Sequence, residues 1–439
     1  MSSPGNARRR PNVLARAAYV ALAQTLYWVA VLWRRLLRRT TFIAVTGTHG
    51  KTTTKELLAT VLASRGPTFR LTANQNTGLP LTLNVLRVRP SHRYAVLEVG
   101  VGAPGEMRRL ARLVRPDVAV VLTVLRTHVK AFPDREAHAR EKAVLLTRLR
   151  RGGVAVLNAD DPRVAAMADA VRGRVLRFGT FPACDVWAEG ITARWPGRLQ
   201  FDVRTTYGES CRVRTRLVGK HWSTSALAAL AAARALGVPP QEAAAALERV
   251  EPFRGRMQPV LLPSGAVLIR DDYNGSYDAF RAAMEALSEA RAVRRIAVVA
   301  DASDYGATSR RKRLARLGRD AAAAAEIVVF VGGDASSARQ GALAAGLAPE
   351  NAHAFQQLQP AAQFLRETLA SGDLVLLKGR ITDHVTRLLH AQLGEIRCWK
   401  EHCAKVTLCD DCRELGAGPE AQRSAAGAPV EPPPGADRS

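Results

Sequence analysis

The chain has 439 residues, enough for two or three domains, and its 47% hydrophobic and 5% aromatic content suits an Ala/Val/Leu-rich globular enzyme. Six cysteines over this length exclude a disulfide framework, and no period of 20–50 residues marks a repeat protein. The net charge of +25 is mostly arginine and leaves open an anionic lipid, an acidic or phosphorylated substrate, or simply a solvated basic face. No stretch interleaves aromatic with basic residues in the manner of an RNA or DNA reader, so nucleic acid is not expected as a partner.

The first forty residues stand apart. They hold Arg8, Arg9, Arg10, Arg16, Arg34, Arg35, Arg38 and Arg39 and no acidic residue. Between Arg16 and Arg34 an apolar run from Ala17 to Trp33 is broken only by Gln24 and Thr25. Its roughly seventeen residues reach the lower edge of a membrane span, and Tyr27, Trp28 and Trp33 suit a bilayer interface. Three readings are open: a membrane anchor, a basic amphipathic helix on the membrane surface, or a helix packed on the domain that follows. A cleaved signal peptide is not expected, because no small-residue cleavage site separates this run from what comes next.

Next comes Val45-Thr46-Gly47-Thr48-His49-Gly50-Lys51-Thr52-Thr53-Thr54, preceded by the apolar run Phe42–Val45 and followed by a helical pattern from Glu56 to Leu62. Strand, glycine loop and helix together make a phosphate cradle. The glycines let backbone N–H groups approach phosphate oxygens, and the helix start adds a favourable dipole. Lys51 is placed to reach the terminal phosphates and Thr52 to ligate magnesium. The general loop spacing asks for a glycine where Val45 stands, so this is a variant form.

From Thr41 to about Gly255 short apolar runs alternate with helical patterns. Strands are expected at Phe42–Val45, Tyr94–Val99, Val118–Thr123 and Val154–Leu157, and helices at Ser225–Leu236 and Gln241–Val250. Such alternation predicts an α/β domain with a parallel sheet and helices on both faces. Ligands on such sheets sit beyond the carboxyl ends of the strands, where Lys51, Glu98 and the Thr123-to-His128 loop all fall. Shorter alternating strands are expected between Asp185 and Val218. A second unit, residues 256–396, reads as Rossmann-like, with strands at Val267–Asp271, Arg295–Ala300, Ile327–Val331 and Leu374–Leu377. Its Gly332-Gly333 pair is not a dinucleotide fingerprint, so no cofactor of its own is expected. Residues 397–413 carry Cys398, Cys403, Cys409 and Cys412, with His402 between them. Four thiols in so short a segment fit either a structural zinc site or reduced thiols on a loose tail. Residues 414–439, rich in Pro, Gly and Ala, are expected to be disordered.

The T-G-T-x-G-K-T-T form resembles the ATP loop of the Mur ligases, which join an amino acid or peptide to a carboxylate at the expense of ATP. Further landmarks follow in order. Asn74 to Leu83 looks like the loop of the branch that adds D-alanyl-D-alanine, and Leu97-Glu98-Val99-Gly100 like the catalytic-glutamate strand. Arg115-Pro116-Asp117 and Thr127-His128 resemble the next strand and its metal-site histidine. Val156 to Asp161, Gly255-Arg256, Asp272-Tyr273-Asn274 and Leu377-Lys378-Gly379-Arg380 fit later landmarks. The resemblance spans roughly residues 41 to 395.

That resemblance implies an ATP-dependent carboxylate–amine ligase of cell-envelope peptide synthesis, working through an acyl phosphate and releasing ADP and phosphate. Catalysis falls to Lys51, Glu98 and His128, and magnesium to Thr52, Glu98 and His128. The nucleotide falls to Gly47, Thr48, His49, Gly50, Lys51, Thr52 and Thr53, with His221, Arg256, Asp272, Tyr273 and Asn274. Lys142 matches by approximate spacing a lysine that is carbamylated in much of the family; an exposed helix lysine is the equal alternative. Lys378 and Arg380 are candidates for phosphate or substrate carboxylate. Two departures stand out. The family's adenine segment carries asparagines where this chain has Trp222 and Ser225. Peptidoglycan Mur ligases also place a UDP-binding domain ahead of the loop, where only forty residues stand here, so a UDP-linked substrate is not carried over. Two other layouts stay open: a polyglutamate-synthase-like ligase at the membrane, and a nucleotide-binding envelope assembly protein without catalysis.

Overall fold

The structure is a computed structural model that describes residues 13–70, 76–125, 131–303, 308–418 and 425. Two sheets organise it. The first has nine strands: β1 (Thr41–Thr46), β2 (Thr68–Arg70), β3 (Tyr94–Glu98), β4 (Val118–Val121), β5 (Val154–Asn158), β6 (Arg174–Gly179), β7 (Val186–Thr192), β8 (Gln200–Thr205) and β9 (Ser210–Arg214). Their order is β2-β3-β1-β4-β5-β6-β7-β8-β9, parallel as far as β7 and antiparallel beyond. The parallel strands read Phe42-Ile43-Ala44-Val45 or Val118-Ala119-Val120-Val121, apolar without alternation, because both faces are covered.

The covering helices are α1 (Val13–Leu36), α2 (Lys51–Ala63), α3 (Gly78–Arg87), α4 (Glu106–Val114), α5 (Arg135–Ala143), α6 (Pro162–Ala165), α7 (Ser223–Ala235) and α8 (Pro240–Leu247). Side-chain caps mark several starts: Asp134 accepts from Ala137 N for α5 and Asp161 from Arg163 N for α6.

Helix α1 packs on the domain, against α3 and α4. Tyr27, Ala30, Val31 and Leu37 are buried there, and each of the larger three contributes roughly 1.5–3 kcal/mol of apolar burial. The Tyr27 hydroxyl donates to Arg109 O at 3.0 Å and Trp33 Nε1 to Val88 O at 2.9 Å. Arg34, also buried, donates to Val114 O at 2.7 Å and Arg115 O at 2.8 Å and pairs with Asp117 at 3.2 Å. The packed-helix reading is therefore the one this structure shows. Among the described residues no helix is long and apolar enough to cross a membrane, so the anchor reading finds no support.

The second sheet has six strands: β10 (Gln258–Leu261), β11 (Val267–Asp271), β12 (Arg294–Val299), β13 (Ile327–Val331), β14 (Ala352–Phe355) and β15 (Asp373–Lys378). Their order is β10-β11-β15-β12-β13-β14, antiparallel only at β10. Helices α9 (Tyr277–Ser288), α10 (Arg310–Ala322), α11 (Ala335–Ala344), α12 (Leu358–Thr368) and α13 (Thr386–Leu393) cover it. The cysteine-bearing segment packs on this domain. Asp410 pairs with the buried Arg270 at 2.7 Å, Arg397 N donates to Leu415 O at 2.8 Å, and Leu415 is buried, so ordered chain continues past Glu414.

Candidate active site

The loop between β1 and α2 forms the floor of the site. Gly47 and Gly50 have φ of +147° and +78°, and a Cβ on Gly50 would lie 2.6 Å from Ser225 Oγ, so both geometry and space demand glycine there. Thr48 N donates to Thr123 O at 2.7 Å and Leu125 N to Thr48 Oγ1 at 3.0 Å, which ties the loop to the end of β4. Lys51 folds back and donates to Gly47 O and Thr48 O, both at 3.0 Å. Desolvation, reinforced by the Arg256 charge, pulls its ammonium below the ordinary lysine value, with Glu98 acting the other way. Thr53 turns its side chain into the core, so its contribution to a phosphate cradle is its N–H at the helix start.

Glu98, at the end of β3, is 3% exposed and held from two sides. Thr52 Oγ1 donates to its Oε2 at 2.8 Å and Asn76 Nδ2 to its Oε1 at 2.7 Å. Asn76 also accepts from Gly100 N at 3.0 Å through its backbone carbonyl. Sequence reasoning had the loop that carries Asn76 and did not assign it a role in the site; nothing local says that its amide turns toward Glu98. Arg256, from the loop joining the two domains, donates to Thr52 Oγ1 at 3.3 Å and lies over the Tyr273 ring at 4.7 Å.

Lys142 is the largest surprise. Of the two open readings, the exposed helix lysine is overturned: the side chain is 2% exposed and Nζ donates to Gly47 O at 3.2 Å. Desolvation first, then the Lys51 charge, hold its pKa well below the ordinary value. An α5 lysine thus reaches the phosphate loop, brought there by the packing of α5 beside α4 and α6 rather than by anything in the local pattern.

The second domain closes the site. His49 Nε2 meets Ser276 Oγ at 2.6 Å, joining the loop to the cap of α9. Between the domains lies a cavity of about 190 Å³, lined among others by His49, His221, Trp222, Ser225, Arg256, Asp271 and Asn274. Trp222 Nε1, His221 Nδ1 and His49 Nδ1 are buried there without hydrogen-bond partners among the described residues. A cavity with orphaned donors and acceptors beside a phosphate loop fits a nucleotide base and sugar. Burial, then neighbouring Lys51, Lys378 and Arg256, push His49 down to about 3; burial likewise takes His221 to about 4, against the opposing pull of Asp271. Both rings are therefore neutral at physiological pH.

Three expected residues lie elsewhere. Asp272 does not face the cavity: it is 1% exposed, chelates Arg270 at 3.1 Å through both oxygens and accepts from Thr386 Oγ1. Its neighbour Asp271 lines the cavity instead, because successive side chains at the end of β11 point to opposite faces. Lys378 is buried and not a free surface charge; it donates to Asp271 Oδ2 and Asn274 O, both at 2.6 Å, and so positions that strand end. Arg380 is paired with Asp383 at 2.6 Å and lines a separate cavity of about 600 Å³ at the carboxyl ends of β12, β13 and β15, with Asp301, Arg310 and Arg387. His128 lies outside the described residues.

The zinc expectation finds no support. Cys398, Cys403, Cys409 and Cys412 do line one narrow cavity of about 10 Å³. Yet among the described residues no group of three or more His, Cys, Asp or Glu side chains is arranged to hold a metal. Cys409 Sγ instead sits 3.4 Å from His384 Nδ1, and Cys412 Sγ accepts from Lys405 Nζ at 3.3 Å.

A phosphate loop, a carboxylate clamped beside it and a cavity lined by both domains fit an ATP-dependent ligase that forms carbon–nitrogen bonds, and the relatives bear this out. Two domain profiles of one family match, the Mur ligase middle domain over residues 45–233 and the Mur ligase glutamate ligase domain over residues 255–381. The UDP-N-acetylmuramoyl-tripeptide–D-alanyl-D-alanine ligase of Mycobacterium tuberculosis is 33% identical over 357 residues, which cover 77% of this chain and 70% of that protein. The chain belongs to the Mur ligase family. Among solved structures, MurF from Acinetobacter baumannii superposes with a TM-score of 0.77 at 29% identity, covering 84% of this chain and 80% of that one. MurF ligase from Thermotoga maritima in complex with ADP shares the fold, with a TM-score of 0.72 at 22% identity over 89% and 86% of the two chains. These likenesses support the ligase and lend nothing to the two alternative layouts.

Proposed function

We propose that this ligase phosphorylates the terminal carboxylate of a muramoyl-type peptide and joins it to the amine of D-alanyl-D-alanine or a closely similar dipeptide. The names of the relatives support these substrates. The observation that carries the reading is Glu98, clamped between Thr52 and Asn76 at the mouth of the phosphate loop with Lys142 buried alongside.

In the first step a carboxylate oxygen attacks the terminal phosphorus of ATP and the bond to ADP breaks. In the second the amine nitrogen attacks the acyl carbon, phosphate leaves, and the amine loses a proton. Lys51 swings from its loop carbonyls to the transferred phosphoryl group, and Arg256 approaches from the second domain. Thr52 and Glu98 are oxygen ligands suited to magnesium, and His128 joins them by resemblance. When bound, the ion supplies charge neutralisation at the phosphates. Burial lowers the cost of deprotonating Lys142, and its free amine would take up carbon dioxide, forming a carbamate and releasing a proton; the new carboxylate would offset the Lys51 charge. Asp271, Asn274, His221 and Trp222 hold the nucleoside, with Trp222 as an aromatic wall for the base.

The test is phosphate release from ATP with UDP-N-acetylmuramoyl-tripeptide and D-alanyl-D-alanine, alongside a panel of other carboxylate and amine pairs. Turnover that depends on both partners is expected, and it should fall when bicarbonate is removed from the wild type but not from Lys142→Ala. The reading fails if no pair raises release above background.

A further inference from the structure

Helix α1 has two apolar faces, and the domain covers only one. Opposite Tyr27, Val31 and Arg34 run Ala18, Leu22, Thr25, Val29, Leu32 and Leu36, spaced 4-3-4-3-4. At 3.6 residues per turn this is one stripe along the solvent side of the helix, about 27 Å long. Leu22, Leu32 and Leu36 are 59%, 59% and 61% exposed, and Thr25 uses its hydroxyl on Ala21 O, which leaves its methyl outward. A continuous exposed apolar stripe of this kind marks an interaction surface.

Beside the carboxyl end of the helix lies a cavity of about 410 Å³ lined by Val31, Arg34, Arg35, Arg112, Arg115 and Arg148, with the turn before β5. Arg34 is spoken for by Asp117. Among the described residues Arg35, Arg112, Arg115 and Arg148 have no carboxylate partner, and the Arg112 guanidinium lies 5.9 Å from the Trp28 ring at the edge of the stripe. Arg38 and Arg39 are exposed just beyond. Burial, with smaller contributions from the Arg150 and Arg115 charges, brings Arg34 down to about 10 despite Asp117. Several guanidinium groups around one concavity fit phosphate oxygens.

We propose that the α1 stripe and the adjoining arginine cavity form a docking surface for an anionic phospholipid bilayer, with the helix lying in the interface and lipid phosphates in the cavity. Charge decides between occupants. A second copy of the chain seated on the stripe would bring two acid-free arginine surfaces together, whereas an anionic bilayer answers each unpaired arginine with about 1 kcal/mol of attraction. Apolar stripe, flanking Trp28 and basic border are the composition of an interfacial helix. The orientation also suits the enzyme. Arg115 precedes β4 and Arg148 precedes β5, so the cavity lies at the amino ends of the strands, and the ATP crevice at their carboxyl ends faces away from the membrane.

The test is cosedimentation of the full chain with vesicles of phosphatidylcholine alone and of phosphatidylcholine mixed with phosphatidylglycerol. Binding is expected only to the anionic vesicles and should weaken as salt rises. The triple variant Arg112→Gln, Arg115→Gln, Arg148→Gln should lower the partition coefficient by about 100-fold, roughly fivefold per arginine. Leu22→Ser with Leu32→Ser and Leu36→Ser should also lower it, and both variants should keep wild-type circular dichroism and ATP turnover. Equal binding to both vesicles, no binding to either, or variants that bind as the wild type does would overturn the proposal. If the stripe variant instead converts a dimer to a monomer in sedimentation velocity with vesicle binding unchanged, a second copy is the occupant.

Discussion

The two ends of the central sheet carry the same sign of charge in opposite physical states. At the carboxyl ends, Lys142 is withdrawn from water and Lys51 is half-buried, and each is tied to named protein oxygens. At the amino ends, Arg35, Arg112, Arg115 and Arg148 stand around an open cavity with no carboxylate to meet them. A buried cation with few partners is held in one place and tuned, which suits chemistry on a phosphoryl group. An exposed arginine cluster keeps its guanidinium groups accessible, which suits encounter with an anionic surface. Arg34 sits on the boundary: it borders the open cavity, yet its own groups serve as a strut that holds α1 to the domain.

The contrast breaks most sharply at Lys51. Lys51→Ala should cut ATP turnover by about 10²–10³-fold, the cost of losing one preorganised charge at a developing anion, while vesicle binding stays as in the wild type. Phosphate release and cosedimentation on the same preparation read both quantities. A variant that loses both together would show that the two ends are not independent.

Arg34 is next. Arg34→Ala removes two bonds to backbone carbonyls and leaves Asp117 with Arg150 and the Phe42 N–H, and should cost about 3 kcal/mol in urea unfolding at unchanged slope. Arg35, one residue on and exposed, has no such bond to lose. If Arg34→Ala is as stable as the wild type, the strut assignment is wrong.

Residue by residue, the smallest effect is a pH dependence in which the two crevice histidines have the largest share. His49 and His221 are held at about 3 and about 4, against 6.5 in the unfolded chain. Below pH 6.5 the unfolded chain takes up protons that the folded one refuses, so stability falls as pH falls toward the folded values. Between pH 6.5 and about pH 5 each histidine should cost about 2 kcal/mol. The urea midpoint followed over that window should drop, and His49→Gln with His221→Asn should flatten the curve.

The glycine loop, the Glu98 strand and the α/β alternation were legible because each is local: a turn needing positive φ, an apolar run, a helical period. Asp272 was chosen over Asp271 because a motif match does not say which of two adjacent side chains faces inward, and Arg270 with Asp410 and Thr386 settles that from distant parts of the chain. For Lys142 the sequence left a site lysine and an exposed helix lysine equally open, and only packing chose between them.

By itself the sequence determined that this chain binds ATP and belongs among ligases, since the cradle and its ordered landmarks are written in contiguous residues. Only the tertiary structure decided what lies around them. Asn76 turns to Glu98, Lys142 comes down on Gly47, and α1 keeps one apolar face for the domain while showing the other to solvent. The arginine cavity is the clearest case, because its members come from α1, α4 and the turn before β5. Charges far apart along a chain become one site only when packing brings their helices side by side, and no local pattern of residues encodes that meeting.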